Sequence, residues 1–335
     1  MPLAELLMAA MWICLTAYAL FGGADFGGGF WDLIAGGAEK GRPQRNLIEH
    51  SIGPIWEANH VWLIFVIILT WTVVPSVFAA VSSTLYIPLT LVALGIIARG
   101  SAFAFRKVSQ KLWQQRLFGG AFALSSVVTP FFLGTVGGAL ASERVPPGIA
   151  AGDPITSWVN PTSLASGLLA VATTAYLAAV YLTHDARREG DPALAQAFRR
   201  KALASGVVTG VLAVLELLIL ATDAPGLFRQ LLSMPALPFA AVSLAAGVAS
   251  LILMSRRSFL TVRLSAALAV TALLWSWGIG QYPNVLPGLP LADASATESV
   301  LLANSIAVLI AGILVIPSLW WLYAIFQRDQ SANRH

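Results

Sequence analysis

The sequence predicts an all-α integral membrane protein of nine transmembrane helices, with the N-terminus outside and the C-terminus cytoplasmic. Composition is the first observation behind this. Of 335 residues, 57% are hydrophobic and only 11% charged, with a mean hydropathy of +0.77. An ordinary soluble domain carries about 25% charged residues. Segment length is the second: nine stretches are apolar over enough residues to cross a bilayer as helices. Charge placement is the third. With nine spans and the N-terminus outside, seventeen of the twenty lysines and arginines fall on the cytoplasmic side and only Arg144 and Arg229 on the other, as the positive-inside rule requires.

In order, the predicted spans are Leu3–Phe21 (continuing to Leu33), Ile52–Val74, Phe78–Phe105, Leu117–Leu140, Leu164–Leu182, Leu203–Ala221, Leu237–Met254, Phe259–Gly280 and Val300–Phe326. Helices are required because backbone amides cannot be left unpaired in hydrocarbon. The short alternating segments of a β-barrel are absent. The inner connections hold Lys40, Arg42 and Arg45; Arg106, Lys107, Lys111 and Arg116; Arg187, Arg188, Arg199, Arg200 and Lys201; Arg256, Arg257 and Arg263; and Arg328 and Arg334. The net charge of +4 and pI near 9.5 are therefore a topology signal, and no nucleic-acid partner is expected. Trp113, Trp158, Trp320 and Trp321 read as interfacial anchors.

Residues 1–335 read as a single polytopic membrane domain. The Pro-, Gly- and Ala-rich stretch Ser142–Pro161 separates the first four helices (1–141) from the last five (162–327). No internal repeat supports a duplicated transporter architecture. Ala17-Tyr18-Ala19 resembles a signal-peptidase site but follows no basic segment, so the first span is expected to be retained. The single Cys14 excludes an intramolecular disulfide. The largest inner loop, His184–Lys201, is too small for a catalytic domain, which puts any chemistry in the membrane or in a partner.

The informative residues are polar groups inside spans, where a charge costs roughly 2.5–3.5 kcal/mol. These are Asp25, Glu57, His60, Arg99 and Glu216. At about 1.5 Å of rise per residue, Glu57 and His60 lie about 13 and 18 Å in from Ile48, and Arg99 about 10 Å from Arg106. Asp25, Glu57 and Arg99 thus fall in the cytoplasmic part of three consecutive helices, with Glu57 the deeper carboxylate. Asp25 and Arg99 also admit a simpler reading, as groups that snorkel to the inner interface or pair with each other. Glu57 and His60 share one helical face with Gly53, and His50 lies one turn further back. A lone Glu-x-x-His is half a di-iron signature, so no metal ligation is expected. His60 alone does not argue for haem, His184 and His335 read as solvated, and Glu216 receives no role. Gly22–Gly29 lacks the strand–turn–helix setting of a dinucleotide loop and reads as a small-residue packing face.

Several strings then stand out: Gly23-Ala24-Asp25-Phe26-Gly27-Gly28-Gly29, Ser51-Ile52-Gly53-Pro54-Ile55-Trp56-Glu57-Ala58-Asn59-His60-Val61-Trp62-Leu63-Ile64, and Arg99-Gly100-Ser101-Ala102-Phe103-Ala104-Phe105-Arg106. Asn160-Pro161, Tyr282-Pro283-Asn284-Val285-Leu286-Pro287 and Ile316-Pro317 continue the series. Together they resemble subunit II of cytochrome bd-type quinol oxidases along essentially the whole chain. The resemblance implies a heterodimer with a haem-bearing subunit I that carries two b-type haems and one d-type haem. It implies quinol oxidation coupled to reduction of O₂ to water, with protons taken from the cytoplasm and no pumping. The setting would be a bacterial or archaeal cytoplasmic membrane, with quinone, lipids and small accessory subunits as further partners and quinol as substrate or lipid-like ligand. No cofactor and no catalytic residue are expected in this chain. Asp25 and Glu57 would belong to a proton path, supported by His50, Trp56, Asn59, His60 and Arg99. Ala104 departs from the family pattern, which often has an acid there, so the inner mouth of the path is expected to be rerouted. Two other classes compete: an ion-coupled permease using Asp25, Glu57 and Arg99, and a purely structural subunit.

Overall fold

The computed structural model describes residues 2–37, 39–52, 56–109, 111–256 and 258–332. Nine helices among these are long and apolar enough to cross a membrane. The first crossing is continuous from Pro2 to Leu33: α1 (Pro2–Ala17), a π-helical turn (Tyr18–Gly22) and α2 (Gly23–Leu33). The described helix α3 (Arg42–Ile52) precedes the second crossing, α4 (Trp56–Val73). Gly53, Pro54 and Ile55 of the signature string, and His335, lie outside the described residues.

The predicted third span is corrected. The apolar run from Phe78 is divided at Leu85 into α5 (Pro75–Thr84) and α6 (Tyr86–Val108), and only α6 contains a crossing. Pro75 starts α5 at a position where a missing N–H costs nothing. Leu85 itself is fully buried beneath Leu7 and Val73, so its position serves packing rather than lipid contact.

The remaining crossings are α7 (Leu112–Ala141), α8 (Pro161–Arg188), α9 (Pro192–Asp223), α11 (Leu237–Ser255), α12 (Phe259–Gln281) and α14 (Glu298–Ala332). Their starts follow sequence chemistry. Asn160 caps α8 by accepting from the Ser163 amide, and Asp191 caps α9 by accepting from Leu194, each followed by proline. Two short helices lie between crossings, α10 (Pro225–Leu231) after α9 and α13 (Leu291–Ala294) before α14. The Tyr282–Pro287 string forms a small hairpin, β1 (Asn284–Leu286) against β2 (Leu289–Pro290), turned through Gly288 at φ +67°. The hairpin drops Leu286 into a cluster with Leu7, Val73 and Leu85 at one end of the bundle. A second cluster, around Trp31, Leu177, Phe198 and Met254, occupies the other end.

α8 is the central helix and α2 lies against it. Gly27 makes this possible: a Cβ there would collide with the Thr174 carbonyl and Ala178. α14 is peripheral, with Ile306, Leu309, Ile313, Trp320 and Trp321 all exposed.

Two outcomes are expected. Gly27→Ala drives α2 off α8, and overpacking of this kind costs about 1–3 kcal/mol. It should lower the thermal unfolding midpoint of the purified protein, whereas Gly247→Ala, which meets nothing within 4 Å, should not. For orientation, Gly148 and Gly190 sit at φ +117° and +80°, so labelling is better placed at the exposed neighbours Ala151 and Glu189. In a Cys14→Ala background an impermeant thiol reagent on intact cells should label Ala151→Cys and not Glu189→Cys. The reverse pattern would overturn the N-out arrangement.

Candidate functional site

The most costly group in the chain is Arg99 of α6, 1% exposed in the middle of the helix packing. Its Nη2 donates to the backbone carbonyl of Asp25 at 2.8 Å. Its guanidinium lies between two rings, 4.7 Å from the Phe26 centroid and 4.9 Å from that of Phe122, an arrangement that partly replaces lost hydration. The Asp25 side chain, 3% exposed, accepts from Asn59 Nδ2 at 2.7 Å, and Asn59 is 1% exposed. Three crossings therefore converge: α2 brings Asp25, α4 brings Asn59 and α6 brings Arg99. Arg99 is buried rather than snorkelling; it holds the backbone carbonyl of Asp25 and lies within electrostatic reach of its carboxyl.

Around this centre His60 is half-buried among three rings: Trp56 at 5.8 Å, Tyr18 at 5.9 Å and Phe26 at 6.1 Å. Its Nδ1 bonds the Trp56 carbonyl at 2.9 Å, one turn back. Trp56 also packs on Phe103 and faces Gly100, so the signature strings of α4 and α6 meet directly.

Glu57 departs from expectation. It lies in the first turn of α4 and is exposed, not buried. Glu57 heads an outward stripe that continues through Ile64, Ile68 and Trp71, whereas Asn59, Leu69 and Val73 form the inward face. His50 is exposed on α3, with Nδ1 on the Asn46 carbonyl, and does not reach the Asp25 centre.

Sequence reasoning missed a second polar layer. Asp32, seven residues and about 10 Å along the helix from Asp25, is 6% exposed. It bridges Arg45 Nε at 2.8 Å and Arg106 Nη1 at 2.7 Å, and Arg45 also holds the carbonyls of Gly36 and Gly37. Asp32, Glu49 and Phe103 are among the residues lining a small cavity here. The signal in the sequence was the seven-residue repeat shared by Asp25 and Asp32 and by Arg99 and Arg106. Ala104, by contrast, is exposed. Elsewhere, Glu216 of α9 accepts from the Ser166 hydroxyl of α8, and Asp223 gathers Arg144 and Thr162.

Among the described residues no three His, Cys, Asp or Glu side chains are grouped to hold a metal. His60 does not fit a haem ligand, because rings close to 6 Å away on three sides leave no room for a porphyrin plane. His184 faces Arg263 and Asp185.

The chain matches the family described as cytochrome bd terminal oxidase subunit II over residues 3–326. It is 34% identical over 136 residues to the cytochrome bd ubiquinol oxidase subunit 2 of Bacillus subtilis, an alignment covering 38% of each chain. It is 30% identical over 129 residues to the cytochrome bd-I ubiquinol oxidase subunit 2 of Escherichia coli, covering 38% of this chain and 33% of that protein. These alignments thus span 38% of the first relative and 33% of the second. A chain in the structure of the bd oxidase from Geobacillus thermodenitrificans superposes with a TM-score of 0.77, covering 97% of this chain and 99% of that one at 23% identity. That likeness concerns the fold.

The surroundings of His60 give a direct expectation: the chain purified alone should yield no stoichiometric haem in a pyridine-haemochrome assay. One haem per chain would contradict the packing argument.

Proposed function

The chain belongs to the cytochrome bd terminal oxidase subunit II family, and we propose that it works beside a haem-bearing subunit I in a bacterial cytoplasmic-membrane quinol oxidase. The two b-type haems and one d-type haem held by subunit I supply the redox chemistry that reduces O₂ with electrons from quinol. This chain supplies the surface that completes the complex and part of the route by which cytoplasmic protons reach that chemistry. Consumption of protons from one side generates membrane potential without pumping.

The observation that carries this reading is the Asp25 centre: a buried carboxylate, an amide donor and a buried guanidinium at the convergence of three crossings. Burial opposes the ionised form of a carboxylate and a neighbouring cation favours it. A group balanced between these effects exchanges a proton, which a relay needs and a static ion pair does not. Asn59 orients the carboxylate, while Arg99 fixes the backbone beside it. Glu57, facing outward, is the connection to subunit I. A carboxylate on the apolar outer stripe of a crossing is costly against lipid, and a donor from the partner's helices would satisfy it. The exposed Ile64, Ile68 and Trp71 extend that contact surface. The Asp32 layer takes the place of the acid that the family resemblance leads one to expect at Ala104. Its two arginines hold α2, α3 and α6 in register at the mouth of the path.

The experiment is turnover per intact complex. Asp25→Asn and Glu57→Gln keep shape and remove the exchangeable proton. Both should assemble with full haem content and lose quinol-driven O₂ consumption, by about tenfold or more where a positioned proton carrier is removed. The loss should be larger at the buried Asp25 than at Glu57. Normal turnover of an Asp25→Asn complex with full haem content would refute the proton role. Poor assembly with preserved turnover per haem would instead favour a structural subunit.

A further inference from the structure

The first crossing is interrupted between Tyr18 and Gly22 by the π-helical turn, a feature that recurs at functional sites. The turn lays the Tyr18 ring over Gly22 so closely that a Cβ on Gly22 would come within 2.8 Å of the ring carbon Cε2. Tyr18 is 5% exposed, and its hydroxyl is buried without a hydrogen-bond partner. Of the other buried groups in that condition, three lie near it: His60 Nε2, Arg99 Nε and Arg99 Nη1. All four belong to side chains that surround Phe26. Its ring lies 6.4 Å from the Tyr18 ring, 6.1 Å from His60 and 4.7 Å from the Arg99 guanidinium carbon. Tyr18 lies within electrostatic reach of Arg99 and Asp25, and His60 within reach of Arg99 and Glu57. Buried donors and acceptors left unpaired by protein are satisfied by ordered water, and a water needs two to four such partners.

We propose that Tyr18 and His60 extend the Asp25 centre into a proton-transfer chain, with the Tyr18 hydroxyl as the link between Asp25 and His60 Nε2; this rests on the proton-path reading above. Nδ1 of His60 is engaged on the Trp56 carbonyl, so it carries the proton and Nε2 is the open acceptor. In the transfer, a proton leaves the Asp25 carboxyl and bonds to the phenol oxygen through bridging water. As it does so, the phenol's own O–H bond breaks and that proton passes to Nε2. Asp25 is left as the carboxylate, the phenol is unchanged, and His60 becomes imidazolium. Release from His60 toward subunit I and reprotonation of Asp25 restore the starting state. The buried Arg99, facing both groups, stabilises the carboxylate and opposes lingering charge on the imidazole, which favours onward release.

Tyr18→Phe tests this in the intact complex, because it keeps the ring against Gly22, Phe26 and His60 and removes only the hydroxyl. Full haem content with about a tenfold loss of quinol-driven O₂ consumption is expected, the size expected for a positioned proton carrier that water partly bypasses. His60→Gln should behave likewise. 3-Fluorotyrosine introduced at position 18 changes the acidity of the relaying phenol and should change turnover per intact complex at full haem content. A structural tyrosine would leave that turnover in place. The fluorinated complex also decides the matter if Tyr18→Phe fails to assemble. Wild-type turnover in Tyr18→Phe beside an impaired Asp25→Asn would overturn the Tyr18 link and leave the proton path standing. Wild-type turnover in both would overturn the path and the link together.

Discussion

A guanidinium sealed inside a bundle of apolar helices is the constraint around which the rest of this structure is arranged. A buried ion of this kind carries a desolvation penalty of several kcal/mol unless the surroundings replace its water. Here the replacement comes from a carbonyl on α2, a carboxylate beside it and the faces of Phe26 and Phe122. Each of these must approach closely, which explains the glycine-rich sequence of α2. Gly27 against the Thr174 carbonyl and Gly29 against Ser126 let α2 sink between α7 and α8. The packing face and the polar centre are one requirement seen from two sides of the same helix.

The polar groups form layers along the first crossing. Asp32 with Arg45 and Arg106 lies toward its Leu33 end, Asp25 with Asn59 and Arg99 follows, and Tyr18 with His60 comes next. Their characters differ in a consistent way. Asp32 is clamped between two arginines and holds three helices together. Asp25 has a single amide donor on its side chain and a cation held to its backbone. On the proposed reading the chain handles protons while a haem-bearing partner carries the redox chemistry. On the same reading Glu57, exposed on the outer stripe of α4, is the side chain that meets it.

Much of this was legible in the sequence. Span number follows from apolar length, and the convergence of Asp25 and Arg99 follows from counting rise along helices whose ends the charges mark. The orientation of α4 was not legible. Its outward residues Ile64, Ile68 and Trp71 are as apolar as its inward Leu69 and Val73, so hydropathy does not tell the faces apart in a membrane protein. Glu57 was therefore read as buried. The division at Leu85 was hidden for the same reason, since an apolar run reads alike whether it meets lipid or another helix. Asp32 stands beside Leu33, where its span ends and a carboxylate costs little, so only its spacing from Asp25, which repeats that of Arg106 from Arg99, marks it. Tyr18 gave no signal, because a π-helical turn leaves no mark in the hydrophobic pattern.

The central claim, that the Asp25 carboxyl changes protonation during turnover, is tested most directly by redox-difference infrared spectroscopy of the whole complex. A carboxylic-acid C=O band that appears or vanishes as the haems change redox state is expected in the wild-type complex. It should be absent in Asp25→Asn and retained in Glu216→Gln, whose carboxyl lies apart on α9. A difference spectrum unaltered by Asp25→Asn would contradict the account.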